Sequence, residues 1–259
     1  MAYRLIWLPE VLRGAGLKVA EVPGWTDRGH GEMGEPVGVI CHHTGTAGAL
    51  DKNMPTLRVL VEGRSDLSGP LAQLGLGRDG TFYVVAAGLC YHAGAGNWAQ
   101  IASGNSRFIG IEAENGGTRN DAWPDEQMDA YRRGVAAIFR HIGAPSGMCC
   151  GHREFALPQG RKDDPLFDMQ AFRSGVEAIL RGRADIRPII PARDQANRPT
   201  LRRGSRGAPV ETVQSKLGVG PDGLFGAITE AAVRAFQRQR NAVPDGIVGP
   251  KTWTLLDAA

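Results

Sequence analysis

A nine-residue motif that occurs twice near the C-terminus constrains the fold of that region more than any other feature. Residues 221–229 read PDGLFGAIT, and residues 244–252, 23 positions later, read PDGIVGPKT. In each copy the Asp-Gly pair favours a tight turn, and the threonine lies where a helix can begin. A repeat this short predicts a small unit in which turns and helices alternate.

The residues around the two copies have the apolar spacing of helices. The apolar positions form three faces: Val210, Val213 and Leu217; Val233 and Phe236; Trp253 and Leu256. Three short helices joined by Asp-Gly turns make a domain of about 50 residues, near the lower limit for independent folding. We therefore predict a three-helix, all-α domain over residues 207–259.

A change of composition separates this region from the rest of the chain. Residues 181–206 hold eight arginines and two aspartates but almost no periodic apolar residues, which predicts a linker at 183–206. Such a cationic tether is most simply a solvated linker, although it could also favour anionic polymers of the cell envelope. The whole chain carries a net charge of only +3, which excludes a uniformly basic nucleic-acid coat, so we expect no nucleic-acid partner.

Residues 1–182 alternate between strand and helix patterns. The chain of 259 residues is 42% hydrophobic and 22% charged, as in globular proteins. The predicted strands cover residues 37–41, 71–76, 81–85, 107–112 and 148–150, and the predicted helices 5–12, 55–62, 124–142 and 167–180. An Asp-Gly turn at 79–80 predicts that the second and third strands form a hairpin. The fold class is therefore α/β, with a mixed central β-sheet flanked by helices.

Other patterns bear on the cellular setting. No stretch approaches the ~20 consecutive apolar residues of a membrane span, so we expect no membrane insertion. The N-terminus is not a convincing signal peptide, because Pro9 and Glu10 interrupt its short apolar run. The four cysteines are too few and too unevenly spaced for a disulfide framework. We therefore expect synthesis in a reducing cytoplasm.

Histidines and carboxylates follow several of the predicted strands. His42 and His43 end an apolar strand, and since neighbouring side chains point to opposite faces, at most one of them serves a given site. His152 follows another short strand, with Asp163 and Asp164 close behind. Two histidines and one carboxylate make a recurrent catalytic zinc set. The alternative is that the two aspartates only stabilise the start of the following helix.

An apolar strand also carries a carboxylate at Glu112. Burial of a carboxylate is costly unless it is paired or functional, and Glu114 lies on the same side of the strand. A glycosidase-like pair of carboxylates is therefore one interpretation. His92, in a predicted loop, is either a substrate contact or a turn residue.

Six short motifs in order resemble the zinc-dependent N-acetylmuramoyl-L-alanine amidases. They lie at residues 39–44 (VICHHT), 77–80 (GRDG), 92–94 (HAG), 109–112 (IGIE), 151–153 (GHR) and 160–165 (GRKDDP). This amidase-2 class includes AmpD-like enzymes, many phage endolysins and the peptidoglycan recognition proteins. The C-terminal repeat resembles a peptidoglycan-binding domain often attached to wall hydrolases.

The resemblance implies roles for particular residues. It implies that His42, His152 and Asp164 bind one zinc ion per catalytic domain, and that Lys162 is catalytic. Glu112 matches the general base of AmpD-like members. Some phage amidases use a tyrosine on the strand before Arg-Asp-Gly, but this chain has Ala72 near that position.

The resemblance also implies a substrate and a setting. His92, Asn115 and Arg153 are expected substrate contacts, and the expected partner is bacterial peptidoglycan, bound by a monomer. The implied function is cleavage of the amide between N-acetylmuramic acid and L-alanine. A wall-binding domain without a signal peptide favours a phage or prophage endolysin, made in the host cytoplasm and released through a holin-type pore. The alternatives are a non-catalytic peptidoglycan-recognition protein and a muramidase that uses Glu112 and Glu114.

Overall fold

The structure is a computed structural model that describes residues 5–46, 52–118, 120–182, 193–240 and 242–259. The chain forms two compact units, the larger one mainly within residues 5–182 and the smaller one within residues 193–259. The domain boundaries expected from the sequence, 1–182, 183–206 and 207–259, stay predictions. Residues 183–192 of the expected linker lie outside the described residues.

A six-stranded sheet organises the larger unit. In chain order the strands are β1 (Lys18–Glu21), β2 (Gly38–His43), β3 (Gly63–Arg64), β4 (Leu67–Ser68), β5 (Leu74–Leu76), β6 (Thr81–Val84), β7 (Phe108–Ala113) and β8 (Cys149–Gly151). The spatial order in the main sheet is β1-β6-β5-β7-β2-β8, while β3 and β4 pair with each other. Strands β5, β7, β2 and β8 run parallel, and β6 is antiparallel to β5. The predicted mixed sheet is confirmed.

The β5–β6 hairpin follows from its turn sequence. Gly80 has a φ of 76°, a left-handed conformation that glycine adopts without strain, and its N–H donates to Gly77 O. The Asp79 carboxylate accepts the N–H of Thr81 and closes the turn. The hairpin predicted at Asp79-Gly80 is present, and its first strand starts at Leu74, three residues later than expected.

Helices flank this sheet. They are α1 (Leu8–Gly14), α2 (Leu57–Glu62), α3 (Gly104–Arg107), α4 (Asp125–Ile142), α5 (His152–Phe155) and α6 (Met169–Leu180). Helix α4 packs against α1 and α6, and it buries Tyr131, Val135 and Ile138. Within the described ranges no helix has both the length and the apolar character needed to cross a membrane.

Several elements differ from the expectation, among them α6 and β1. Helix α6 starts at Met169, because the Asp168 side chain accepts the N–H groups of Gln170 and Ala171 and caps the helix there. Phe167, which was expected inside this helix, precedes it and packs its ring against Tyr131. Strand β1 was not predicted, since its KVAE sequence has only two apolar residues.

The strand register brings the chemical motifs together. Strands β2 and β7 are parallel with His42 opposite Glu112, and β2 pairs with β8 so that Cys41 lies opposite Gly151, directly before His152. The carboxyl ends of the three strands therefore meet at one edge of the sheet, where sites in parallel sheets commonly form.

The smaller unit contains helices α7 (Ala208–Lys216), α8 (Ala227–Gln239) and α9 (Pro250–Asp257), so the predicted C-terminal helical region is confirmed. Its core includes Val213, Val233 and Trp253. Leu201 belongs to this core although it lies in the segment expected as a linker: it is 3% exposed and exchanges backbone hydrogen bonds with Val248. The sequence around Leu201 has no periodic apolar pattern, but the burial of this one leucine is enough to attach the segment to the helical core.

Candidate active site

Three side chains from separate parts of the chain converge at the carboxyl edge of the sheet. His42 ends β2, His152 begins α5, and Asp164 lies in the loop before α6. His42 Nδ1 lies 3.1 Å from His152 Nδ1 and 3.1 Å from Asp164 Oδ2, and His152 Nδ1 lies 3.3 Å from Asp164 Oδ1. All three residues are buried. The structure thus brings together the three predicted metal ligands.

Hydrogen bonds on the far side of each ring fix which nitrogen carries a proton. His152 Nε2 lies 2.9 Å from Ala93 O, and His92 Nε2 lies 3.1 Å from Phe108 O. A carbonyl oxygen only accepts, so both Nε2 atoms carry hydrogen, and when the rings are neutral both Nδ1 atoms are lone-pair acceptors. His92 Nδ1, 3.1 Å from His42 Nε2, then accepts the proton of His42. His42 and His152 therefore both direct an unprotonated Nδ1 toward Asp164.

This cluster suits a small tetrahedral cation. Ligand atoms held about 2.0–2.2 Å from zinc in tetrahedral geometry lie about 3.3–3.6 Å apart, slightly more than the separations above. Two imidazole nitrogens and one carboxylate oxygen are donors that zinc prefers, and three protein ligands leave a fourth position for water or substrate. The residues present therefore fit a metal centre of the catalytic kind.

The pKa shifts in the cluster favour the protonation states that metal-binding side chains need. Burial, reinforced by the nearby His152, lowers the pKa of His42 to about 4, and burial also lowers the pKa of His92 well below its usual value. Burial alone would raise the pKa of Asp164, but the positions of His152 and His42 beside its two carboxylate oxygens outweigh burial and hold that pKa below its usual range. Neutral imidazoles beside an ionised carboxylate are the states that bind a metal.

Glu112 lies beside the cluster, as the register of β2 and β7 requires. Its Oε1 is 3.9 Å from His42 Nδ1, and its buried Oε2 has no hydrogen-bond partner in the part of the chain that the structure describes. Burial, together with the negative charge of Asp164, raises its pKa well above the usual value. A buried carboxylate without a partner is uncommon unless it has a function.

Lys162 and Arg153 flank Asp164 in different ways. The half-buried Lys162 is close enough for its charge to lower the pKa of both His42 and Glu112. Arg153 donates its backbone N–H to Asp164 O at 2.7 Å and its Nη2 to Phe167 O at 2.7 Å. Arg153 thereby holds the loop that carries the third ligand.

Two further predicted substrate contacts make internal hydrogen bonds. His92 is 7% exposed and lies behind His42, as described above. Asn115 is 1% exposed; its Nδ2 donates to Asp121 O and its Oδ1 accepts the N–H of Gly117. That His92, Asn115 and Arg153 contact substrate stays a prediction, and the structure shows each of them supporting the site.

Glu114 has a different environment from Glu112. It is 0% exposed, and its carboxylate accepts hydrogen bonds from Thr44 Oγ1, Thr56 Oγ1 and Thr56 N at 2.9–3.1 Å. These contacts join the loops that follow β2 and precede α2. The same strand therefore carries one carboxylate with an unused oxygen and one that is fully occupied in holding loops.

Sequence reasoning missed two residues that support the centre. The Tyr131 hydroxyl accepts the backbone N–H of His42 at 3.1 Å and donates to Ile111 O at 2.9 Å, so α4 holds the end of β2. Asn105 Oδ1 accepts the N–H groups of both His92 and Ala93. The signal for Tyr131 was its hydroxyl on an otherwise apolar helix face, since a buried phenol needs a partner.

A mixed sheet with two histidines and a carboxylate at its carboxyl edge defines a candidate metallohydrolase. The family described as N-acetylmuramoyl-L-alanine amidase matches residues 32–166, which include all three candidate ligands and Glu112. The chain belongs to this amidase family. Residues 206–256 match a second family, described as a putative peptidoglycan binding domain.

Individual proteins resemble parts of the chain. An uncharacterized protein in the bpoA1 3' region of Kitasatospora aureofaciens is 42% identical over 66 residues, which is 23% of this chain; the chain spans only 56% of the length of that relative. A mutant endolysin from Bacillus subtilis has a TM-score of 0.47 at 16% identity, over 62% of this chain and 99% of that one. An AmpD derivative has a TM-score of 0.46 at 24% identity, over 61% of this chain and 94% of that chain. A mutant of Drosophila PGRP-LB in complex with tracheal cytotoxin has a TM-score of 0.41 at 22% identity, over 57% of this chain and 92% of that chain.

Proposed function

We propose that this protein is a zinc-dependent amidase that hydrolyses the bond between N-acetylmuramic acid and L-alanine in bacterial peptidoglycan. The observation that carries the proposal is the convergence of two unprotonated Nδ1 atoms and the Asp164 carboxylate, with Glu112 3.9 Å from His42. Membership of the amidase family and a second match to a peptidoglycan-binding family support the choice of substrate.

His42, His152 and Asp164 would hold the metal. When bound, zinc would supply a Lewis acid that polarises the scissile carbonyl and makes water more acidic. The ligands contribute their orientation: His92 and Ala93 fix the two rings from behind, and Arg153 fixes the loop of Asp164. Such supporting hydrogen bonds keep the donor atoms aimed at one point.

Glu112 would move the protons of the reaction. Its carboxylate takes a proton from the attacking water while the water oxygen bonds to the lactyl carbonyl carbon, and then gives that proton to the leaving nitrogen as the C–N bond breaks. The unpartnered Oε2 is available for this exchange. Lys162, whose positive charge reaches the same centre, would stabilise the negative charge that develops on the carbonyl oxygen. The products are a lactyl carboxylate and the free amine of L-alanine.

The two alternatives from the sequence fit less well. A muramidase needs two available carboxylates, but Glu114 is tied to Thr44 and Thr56. A recognition protein without activity needs no proton carrier, whereas the half-buried Glu112 lies beside the cluster with an Oε2 that has no hydrogen-bond partner among the described residues. Both observations favour the amidase.

The test is the chemistry of the products. Digestion of purified peptidoglycan by the full-length protein should release new free amino groups and no new reducing sugar ends, measured by chemical assay and mass spectrometry. Chelation should abolish the reaction, and added zinc should restore it. The appearance of new reducing ends would show that the protein is a muramidase and not an amidase. Lysis that continues in the presence of chelators would exclude the metal mechanism.

The biological setting is part of the same proposal. A catalytic domain joined to a wall-binding domain suits an enzyme that acts on an intact wall rather than on small fragments, as a phage or prophage endolysin does. We propose that it acts as a monomer and reaches the wall from the host cytoplasm through a holin-type pore. Release of the protein only when a holin is co-expressed, followed by lysis, would test this route.

A further inference from the structure

The two copies of the repeated motif share one polar frame inside the smaller unit. Gln214, on α7, is buried, and its Oε1 accepts the N–H of Gly223 at 2.9 Å. Its Nε2 lies within hydrogen-bond distance of three acceptors, at 2.7–3.0 Å: Asp222 Oδ1, Leu224 O and Thr229 Oγ1. One glutamine thus fixes the whole first loop.

The second copy repeats this arrangement 23 positions later. Gln237, on α8, accepts the N–H of Gly246 at 2.9 Å. Its Nε2 lies 2.7–3.2 Å from the matching acceptors: Asp245 Oδ1, Ile247 O and Thr252 Oγ1. The internal frame of the two copies is therefore the same, so any difference in what they bind must arise from surface residues.

The two copies expose different side chains at two corresponding positions, 224/247 and 228/251. Ile228, in the first turn of α8, corresponds to Lys251 in the first turn of α9. Ile228 is 77% exposed, and Leu224, four residues earlier, is 45% exposed. Within the described part of residues 193–259, these two are the exposed large apolar side chains. The hydrogen bonds of the frame use polar side chains and a backbone carbonyl, so they require neither of these exposed apolar side chains.

Ile228 borders an open depression with a volume of about 410 Å³. We call it the first-repeat depression. Its lining residues are Gln214, Val219, Gly220, Pro221, Asp222, Ile228 and Thr229. This volume lies within the range of about 300–1,000 Å³ that is typical of small-molecule sites, and aliphatic walls with a few fixed polar groups are their usual composition.

Asp222 supplies a fixed acceptor in this depression. Its Oδ1 accepts hydrogen bonds from Gln214 Nε2 and from the N–H of Leu224, and these bonds lower its pKa, so the carboxylate stays ionised. No hydrogen bond to its other oxygen, Oδ2, is found among the described residues. An ionised carboxylate with a free oxygen accepts N–H or O–H donors and repels anions.

We propose that the first-repeat depression binds the neutral, N-acetylated glycan strand of peptidoglycan, with Ile228 against the acetyl methyl or sugar face and Asp222 accepting an amide or hydroxyl hydrogen. The proposal rests on the wall-binding part of the proposed function. Charge and shape favour this ligand within the wall. Phosphate-rich polymers carry anions that Asp222 would repel, whereas the glycan strand offers uncharged N–H and O–H donors to Asp222 and acetyl methyl groups to Ile228. Stem peptides carry both amines and carboxylates, and the test below separates them from the glycan.

A matched pair of variants of the full-length protein tests this site. The probe is peptidoglycan glycan strands from which an unrelated amidase has removed the stem peptides and whose free lactyl carboxylates have then been converted to primary amides. These strands are neutral, and they carry no stem-peptide bond that the protein under test could cleave. We expect Ile228→Ala to weaken binding roughly tenfold, the loss typical of removing an aliphatic side chain from a contact. Lys251→Ala, at the corresponding exposed position, should bind like the wild type. Equal melting temperatures of the three proteins would show that each is folded.

Each other outcome overturns a defined part of the inference. If Ile228→Ala binds the strands as tightly as the wild type, the depression is not the site. If the wild type binds intact sacculi but not the stripped strands, the ligand is not the glycan. If the wild type binds neither sacculi nor strands, the wall-binding function itself fails, which distinguishes that failure from failure of the site.

Discussion

At the scale of single residues, the candidate centre depends on where hydrogen atoms sit on three imidazole rings. Phe108 O accepts from His92, His92 accepts from His42, and the opposite nitrogen of His42 is left with a lone pair. This chain of donors ends on a backbone carbonyl and so has only one direction. A residue that touches no ligand atom of the cluster thus controls whether His42 can be a ligand.

Replacement of His92 should therefore change metal affinity in a graded way. In His92→Asn the amide oxygen can take the place of Nδ1 as the acceptor, whereas His92→Ala leaves His42 Nε2 without one. We expect His92→Ala to lower zinc affinity roughly 10–100-fold and His92→Asn to retain most of it. Competition with a chromophoric chelator measures both. Equal affinities for His92→Ala and the wild type would show that His92 does not orient His42.

Glu112 and Glu114 offer a comparison between a reactive and a supporting carboxylate. Glu112→Gln keeps the shape but cannot take a proton, so we expect kcat to fall by roughly 10²–10⁴ while zinc affinity and melting temperature stay the same. Glu114→Gln should instead lower the melting temperature, because Thr44 and Thr56 lose a charged acceptor. Steady-state kinetics and thermal unfolding separate the two; a catalytic loss confined to Glu114→Gln would reverse the assignment.

Sequence could predict the identity of the ligands but not how they are held. His42, His152 and Asp164 were found through the resemblance of their motifs, because metal chemistry restricts those positions to a few residue types. The roles of His92 and Tyr131 depend on distances between residues 50 and 89 positions away from His42 in the chain. No local pattern encodes such distances.

At the scale of elements, a buried ion pair joins the β5–β6 hairpin to the loop that follows β7. Arg78 donates to both carboxylate oxygens of Asp121 at 2.6 and 2.7 Å, and both side chains are largely buried. Asp121 also accepts the N–H of Gly116, in the loop that begins at Asn115. The Arg-Asp-Gly motif therefore supports a loop next to the candidate active site as well as its own turn.

Asp121→Asn should expose the contribution of this pair. The variant leaves the Arg78 guanidinium without a buried counter-charge, and we expect a loss of about 3 kcal/mol in unfolding free energy at pH 7. Hydrogen bonds from Arg78 lower the pKa of Asp121, so its stabilising contribution is complete above the usual aspartate pKa and is lost as the pH falls through the lowered value. Urea unfolding of both proteins at pH 7 and pH 3 should show the difference shrinking in acid. A pH-independent difference would contradict this account.

The elements themselves were largely predictable, whereas their arrangement was not. Alternating apolar residues, Pro124 and the Asp79-Gly80 turn indicate strands and helices near their observed positions, because these signals are local. The order β1-β6-β5-β7-β2-β8 and the register of His42 with Glu112 are set by packing between distant segments. Strand β1 was missed for the same reason, since its four residues contain no local signal for a strand at the edge of the sheet.

At the scale of the whole molecule, catalysis and wall binding are assigned to different units. The matched families cover residues 32–166 and 206–256 without overlap. The near-neutral total charge conceals an arginine-rich stretch before the helices, which the sequence showed directly. The attachment of Leu201 to the helical core was not predictable, because a single leucine makes no pattern.

Removal of residues 207–259 should separate the two activities. We expect hydrolysis of a soluble muropeptide to be unchanged. Turnover of insoluble sacculi should fall by on the order of 10²-fold, because the truncated enzyme is no longer held at the wall. Release of free amines from the two substrates, compared in parallel, measures this. A parallel loss on both substrates would mean that the C-terminal residues are needed for catalysis or folding rather than for attachment.

The duplicated glutamine frame has a consequence for how such a protein can change. Gln214 and Gln237 each bind the backbone of one loop, so the same scaffold is present twice, and among the described residues the side chains at 228 and 251 take no part in either set of glutamine hydrogen bonds. If the proposed glycan site is correct, substitution at position 228 can therefore alter the polymer that is recognised while the glutamine frame keeps the loop folded. The binding preference of the smaller unit can thus change through single surface substitutions in one copy, while the other copy keeps its own loop structure.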